Sequence, residues 1–415
     1  MNMAGSDIVA TTHLRLGGTG PRYYGVLAAL GVFLVLGFAA YLYMEINGHR
    51  VTGMDNQIVW GMPHVFAVFL IVAASGALNV ASTASVFGKQ IYKPLAPLSG
   101  LLALALLAGG LTVLMLDLGR SDRLIVAMTH FNFKSIFAWN VFLYTGFYAI
   151  VGAYLWFMLD PQMGRFTQAA GIAAFVWRLT LTTGTGSIFG FLVAREAYDS
   201  ALLAPMFIVF SFAYGTAIFI LTLMAACRHD RRPLGDLILR RLAGLLTVFV
   251  SASLYFVTVF HLTKLYLARH AGFEQFILTE GGIYTALFWA GQVALGGVVP
   301  LILLFHPAWS KSRMLIALAA ALVILGGLAQ MYVTIIGAQA WPLKLFPGME
   351  ESSSFFDGEI HPYSPSAPEL LLGLGGVALA LVIVTVTLRV LAMLPERLDD
   401  ASLSGLDPES PGAIR

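Results

Sequence analysis

Asp117, Arg120, Asp122, Arg123, His130 and Lys134 crowd into LDLGRSDRLIVAMTHFNFKSIFAWN, residues 116–140, directly after an almost unbroken apolar run. Acids and imidazoles at that density can exchange protons, and His64 shares their setting. It follows Pro63 in the first turn of another apolar segment, where proline is tolerated and the positive end of the helix dipole disfavours imidazolium. A neutral, proton-accepting ring is the expected state. Asp117 falls in the last turn before Gly119, where the negative helix end and burial raise a carboxyl pKa while Arg120 and Arg123 push it down. A histidine and an aspartate facing each other from neighbouring helices would form a proton-handling pair. For Arg120, Asp122, Arg123 and Lys134, snorkelling or capping at helix ends is the competing reading. Trp60 and Trp139 fit an interfacial aromatic belt as well as ligand contact.

The elements that must position these residues follow from composition. The 415 residues are 58% hydrophobic and 11% charged, with mean hydropathy +0.81. Soluble domains carry about 25% charge, so this is an all-α polytopic membrane protein. Apolar stretches of about 20 residues, enough to cross a bilayer core, fall near 23–45, 60–86, 95–117, 133–158, 169–193, 202–227, 242–268, 282–305, 313–339 and 369–393. The fifth is the weakest, because it contains Arg178 and several threonines; ten helices are expected, nine being the alternative. No cleavable signal peptide is expected at residues 1–22, which form a polar cytoplasmic segment ahead of a membrane domain over 23–394.

Loops on one side hold the cluster Arg228, Arg231, Arg232, Arg240 and Arg241, which predicts that both termini are cytoplasmic. His64, Asp117, His130, Lys134 and Trp139 then share one level near the outer face, and residues 116–140 close over a pocket. The outer loop 340–368 is proline-rich and acidic, with Glu350, Glu351, Asp357 and Glu359; it reads equally as a docking surface or a linker. The charged tail 395–415 is expected to be mobile.

Other polar residues carry two readings each. Arg178 lies well inside the fifth helix, where an unpaired charge is costly; with Thr182 it suggests a proton path or a structural bridge. His261 and Lys264, one turn apart, suggest pairing within the second half of the protein or a proton relay. Gly186 and Gly190 form a small-xxx-small pattern read as helix packing. The single cysteine, Cys227, excludes an intrachain disulfide, CxxCH haem attachment and a self-supplied four-cysteine cluster. No metal-ligand spacing is evident.

LDLGRSDR, NFKSIFAWNVFLYTG and TGSIFGFLVAREAYDSALLAPMFIVFSFAYG, in this order, resemble the NrfD and polysulfide reductase membrane-subunit family over roughly residues 55–340. GMDNQIVWGMPHVFAVFLIVAASGALNVAS and RLIVAMTHFNFKSIFAWN are most similar to its DsrP branch, from the Dsr transmembrane complex of sulfur-metabolising prokaryotes. The resemblance implies two four-helix bundles plus two extra helices in the prokaryotic cytoplasmic membrane. It also implies a menaquinone or ubiquinone pocket near the outer face, beside a periplasmic ferredoxin-like iron–sulfur subunit. A multihaem cytochrome c, a cytochrome b membrane subunit and a cytoplasmic iron–sulfur subunit are the further partners implied. The family's histidine and aspartate roles fall on His64 and Asp117, with Trp60, Arg120, His130, Asn132 and Trp139 as quinone contacts. Arg178, Thr182, His261 and Lys264 are candidates for a proton path. Ser121 departs from the proline that often follows LGR in the family. No haem or iron–sulfur cluster is expected in this chain, and no nucleic acid.

Three other functions remain open. A cytochrome b-type subunit needs paired axial histidines, for which only His64 and His261 share a level, with His306 near the other face. A secondary transporter could use a broken fifth helix around Arg178 as an anion site. A passive anchor would use none of these residues chemically.

Overall fold

The computed structural model describes residues 13–17, 20–343, 349 and 358–404. Ten long helices account for nearly all of it: α1 Pro21–Asn47, α2 Met62–Ser85, α3 Gln90–Leu116, α4 Ile136–Leu159, α5 Thr167–Gly190, α6 Leu203–His229, α7 Asp236–Tyr266, α8 Ile283–Phe305, α9 Arg313–Ala340 and α10 Ala367–Val390. Among the described residues, nine are long and apolar enough to cross a membrane, which makes this a multi-pass integral membrane protein. The exception is α5, whose Arg178 and threonines lower its hydropathy. Its 24 residues nonetheless extend about 36 Å at 1.5 Å per residue, and it runs back alongside α4 after a short turn.

Local sequence sets where these helices begin. One proline falls within the first two positions of each of α1, α2 and α10, where its missing N–H costs nothing. The start of α7 lies six residues upstream of the apolar window, because Arg240 forms part of its first turns, where a charged side chain can reach beyond the apolar layer.

Packing divides the molecule into two four-helix bundles, α2–α5 and α6–α9. The remaining pair lies outside them: α10 packs on α3 and α2, and α1 packs on α10. Helix α2 is the axis, with 94% of its most apolar window buried against 11% for α1. It meets α6 of the second bundle where Gly76 lies against the backbone of Ser211 and Gly215, so that a Cβ on either glycine would strike main-chain atoms. Gly186 and Gly190 similarly lie against the backbone carbonyls of Leu203 and Ser200, in keeping with the packing reading.

The tail is docked rather than mobile as far as Ser404. Strand β1 (His13–Leu14) pairs antiparallel with β2 (Leu394–Pro395), and the Gly235 N–H donates to Leu398 O at 2.6 Å. Leu398 and Leu403 are each only 1% exposed; burying two leucines is what outweighs the segment's charge. Glu350, Glu351 and Asp357 of the acidic loop, residues 1–12 and residues 405–415 lie outside the described residues.

The α2–α6 crossing yields a test. Gly76→Leu is expected to abolish recovery of monodisperse full chain in detergent, whereas Gly25→Leu, on α1 with nothing within 4 Å, is expected to leave recovery unchanged. Equal recovery of the two variants would remove the close crossing as a requirement.

Candidate functional site

The turn after α3 carries the acid. Asp117 is the C-terminal cap residue of α3, followed by Leu118 and by Gly119 at φ +67°, a left-handed conformation open to glycine at little cost. A Cβ at Gly119 would lie 3.0 Å from His49 Cε1, so this glycine also makes room for an imidazole. The α1–α2 connection brings His49 to one side of Asp117, with Nε2 3.9 Å from Oδ1. The first turn of α2 brings His64 to the other side, with Nδ1 2.8 Å from Oδ2. The Asp117 side chain is 1% exposed and that of His64 15%.

The His64–Asp117 contact is close but poorly aligned. At 2.8 Å it is an ion-pair distance, yet neither Asp117 oxygen nor His64 Nδ1 has a hydrogen-bond partner of good angular geometry. It is a close polar contact with hydrogen-bonding capacity left over. With Nδ1 turned to the acid, Nε2 is the ring nitrogen left to accept a proton.

Electrostatics here come from histidines, not from the arginines expected. Burial pushes the Asp117 carboxyl up, but the neighbouring imidazoles of His49 and His64 outweigh it and hold the group below the usual carboxylate range. The nearby Asp117 carboxylate raises His49 above its ordinary 6.5 against partial desolvation. Arg120 instead forms an exposed pair with Asp122, Nε to Oδ1 at 3.0 Å, beyond the turn.

Beside this cluster lies a cavity of about 450 Å³, walled by helical stripes of the first bundle and by Ile335 of α9. Helix α2 and the residue before its cap give Trp60, His64, Val68 and Ile71; α3 and its following turn give Leu111, Leu114, Met115 and Leu118; α4 gives Phe137, Asn140, Val141, Tyr144 and Thr145. Those intervals of three and four residues are one face of each helix. Thr185, Ile188 and Phe189 of α5 complete the ring, and Leu124 and Met128 of the short helix Leu124–Thr129 close part of it. The Trp60 indole stacks at 6.0 Å and 26° on His64. Asn140 donates to Ile136 O and Gly184 O, which leaves its buried Oδ1 without a partner in the wall.

The sequence candidates divide. Trp60 and His64 line the cavity and Asp117 touches His64. Arg120, His130, Asn132 and Trp139 are exposed at the same end and are absent from the lining. His130 Nδ1 meets Thr129 Oγ1 at 3.0 Å, Asn132 Oδ1 accepts from the Lys134 N–H, and Trp139 Nε1 donates to Phe133 O.

Arg178 and Thr182 lie in the first bundle. Arg178 Nη1 donates to Asn79 Oδ1 at 2.6 Å and to Ser75 O at 3.2 Å, with its guanidinium between the rings of Phe175 and Phe212. Thr182 donates to Arg178 O or Ser75 Oγ. His261 and Lys264 lie in the second bundle, so the four proton-path candidates do not share one cavity. His261 pairs with Glu274 at 2.7 Å, and Lys264 donates to the backbone oxygens of Glu196, Tyr198 and Asp199. His64 and His261 are thus each engaged with a carboxylate in a different bundle. Among the described residues no three His, Cys, Asp or Glu side chains converge as a metal site.

Sequence reasoning missed the residues that hold the segment before α2. Gln339 Oε1 accepts from the Val59 and Trp60 N–H groups at 3.0 Å, and its Nε2 donates to Trp60 O. Tyr363 OH accepts from the Met62 N–H and donates to the fully buried Glu369, which also accepts from the Gly53 N–H. His49, a histidine in a loop, is a further residue missed. Each is far in sequence from the segment it holds or the acid it approaches, so no spacing signal could have found them.

The raised His49 and lowered Asp117 values give a pH dependence. Stability from His49 is fully present below its ordinary 6.5 and is lost as pH rises through the raised value; that from Asp117 is lost as pH falls through its lowered one. Thermal unfolding of the full chain is expected at progressively lower temperature above pH 6.5, with a flatter slope in His49→Gln. Identical slopes would remove His49 from the cluster's energetics.

The profile of the family described as Polysulphide reductase, NrfD matches residues 50–342. An Hdr-like menaquinol oxidoreductase integral membrane subunit of Archaeoglobus fulgidus is 30% identical over 392 residues, covering 94% of this chain and 98% of that protein. One subunit of a selenate reductase from Mesobacillus selenatarsenatis is 22% identical over 409 residues, covering 88% and 93%. With the profile spanning both bundles and a relative aligned along nearly its whole length, this chain belongs to the polysulphide reductase NrfD family.

Proposed function

We propose that the chain is the quinone-reactive membrane subunit of a multi-subunit redox complex. The observation that carries this reading is the apolar cavity of about 450 Å³ with the His64–Asp117 pair at its wall. Its size falls within the range of roughly 300–1,000 Å³ common for small-molecule sites, and its few polar groups converge on one region. The names of the relatives support the same reading, and the menaquinol oxidoreductase relative favours menaquinone over ubiquinone.

A quinol must shed two protons and two electrons. His64 Nε2 is the proposed first proton acceptor, with Asp117 stabilising the imidazolium as it forms. Asn140 Oδ1 is the proposed acceptor for the ligand's second hydroxyl, and the Trp60 indole packs against the ring. Arg120, His130, Asn132 and Trp139, exposed at this end, are proposed to act at the rim of the site. A chain with one cysteine cannot hold an all-cysteine cluster. The electrons are therefore proposed to pass between quinone and a ferredoxin-like iron–sulfur subunit docked at the His64 end. With the Arg228–Arg232 end on the cytoplasmic side of a prokaryotic cytoplasmic membrane, that partner is periplasmic. A multihaem cytochrome c, a membrane cytochrome b, a cytoplasmic iron–sulfur protein and a place in dissimilatory sulfur metabolism follow from the DsrP-like segments and stand as proposals. Proton translocation is proposed as a coupled activity, with Arg178 and Thr182 as its candidates in the first bundle.

Fluorescence quenching of a naphthoquinol inhibitor by the purified complex tests the site. Saturable binding is expected in the wild type, weakened at least tenfold, or about 1.4 kcal/mol, by His64→Ala and by Asp117→Asn in complexes that retain all their subunits. Tight binding unaffected by either substitution would move the quinone elsewhere.

A further inference from the structure

The second bundle contains a buried polar group that the quinone site does not use. Glu274 lies between α7 and α8, in a segment that folds back into the protein, and is 0% exposed. Its Oε2 is 2.7 Å from His261 Nδ1, while its Oε1 has no partner. A fully buried carboxylate with one oxygen unsatisfied is costly in an apolar interior unless a proton or a water meets it.

Three further observations converge on the same place. Gln292 of α8 is 5% exposed, and neither its Nε2 nor its Oε1 has a partner. A cavity of about 30 Å³ reaches His261, Gln292, Gln330 and Thr334, and a second, of about 20 Å³, shares Val257, Gln292 and Gln330 with it and continues to Ser253. On this measure a water needs about 10–15 Å³ and two to four polar partners, so each space suits one or two. The three π-helical stretches of the described chain, Phe276–Glu280, Leu287–Val298 and Val333–Gly337, each contribute to the first cavity, through Ile277, Gln292 and Thr334. Such wide turns are rare and gather at functional sites, because they displace side chains from the ordinary helical register.

We infer that the second bundle holds a hydrated proton site, in which the His261–Glu274 pair binds one exchangeable proton and the Gln292–Gln330 cavities hold the waters that reach it. The step is transfer of one proton from hydronium in the cavity water to the pair: one O–H bond of hydronium breaks, one bond from the proton to the carboxylate or imidazole forms, and a neutral water is left. The site lies at the same end of the molecule as His64, since Lys264, one turn from His261, is bonded to the α5–α6 connection whose Arg195 donates to Gln57 O beside α2. Several charged and titratable groups lie around it. Lys264 is on α7, Glu196 and Asp199 on the α5–α6 connection, Arg269 and His270 on the α7–α8 connection; Tyr198 of the α5–α6 connection and Tyr214 of α6 line the two cavities. The inference is independent of the quinone reading.

The test is pH-difference infrared spectroscopy of the full chain in lipid nanodiscs, in water and in deuterium oxide. Carboxyl and imidazole bands that titrate together with one midpoint, and that vanish in Glu274→Gln, are expected. Gln292→Leu, which removes the polar cavity wall but not the pair, is expected to slow deuterium exchange of those bands at least tenfold while leaving quinol-analogue binding unchanged. Identical difference spectra in wild type and Glu274→Gln would overturn the proton site, and unchanged exchange in Gln292→Leu would overturn its hydration. A midpoint that shifts with sodium but not with potassium would replace the proton by a sodium ion. The wild type alone supplies an independent check: water density in contact with Gln292 at high resolution supports the inference, and lipid or side-chain density there overturns it.

Discussion

A buried carboxylate next to an apolar cavity is the constraint around which this protein is arranged. Asp117 sits at the negative end of α3 with 1% of its side chain exposed, a position that favours the neutral acid unless polar partners are held close. The α1–α2 connection and α2 hold the imidazoles of His49 and His64 against it. Each depends on backbone that ordinary residues would disturb. Gly119 makes room for one imidazole, and the proline-initiated start of α2 fixes the other.

Fixing that start requires the rest of the molecule. The segment ahead of α2 is anchored by Gln339 at the end of α9, by Arg195 before α6, and by Tyr363 and Glu369 at the start of α10. A histidine of the first bundle is therefore oriented by residues of the second bundle and of an outlying helix. The glycine contact between α2 and α6 serves the same end, because the anchors reach α2 only if the two bundles approach to backbone distance. Arg178 belongs to this bracing as well. Its hydrogen bonds to Ser75 O and Asn79 Oδ1 tie α5 to α2.

The two bundles solve one problem in related ways. Each pairs a histidine with a buried acid at the same end of the molecule, His64 with Asp117 and His261 with Glu274. They differ in what lies next to the pair. The first opens on a large apolar space suited to an organic ligand, and the second on small polar spaces suited to water.

The membrane class, the spans of the helices and the placing of His64 and Asp117 at helix ends near one level were legible in the sequence, because hydropathy and residue position along a helix are local properties. The polar character of α5 was legible too, as the one span that apolarity does not pick out. Partners far apart in the chain were not. The approach of His49 to Asp117, the pairing of His261 with Glu274 rather than with another helix residue, and the grip of Gln339 on Trp60 all join segments whose proximity no spacing rule encodes. Arg120 illustrates the reverse case: two positions from Asp122 along the chain, it turns to that exposed acid and leaves Asp117 to the histidines. Sequence by itself determined which residues must leave water and which can carry charge there. Tertiary structure alone decided which buried charges meet, because that depends on where helices cross.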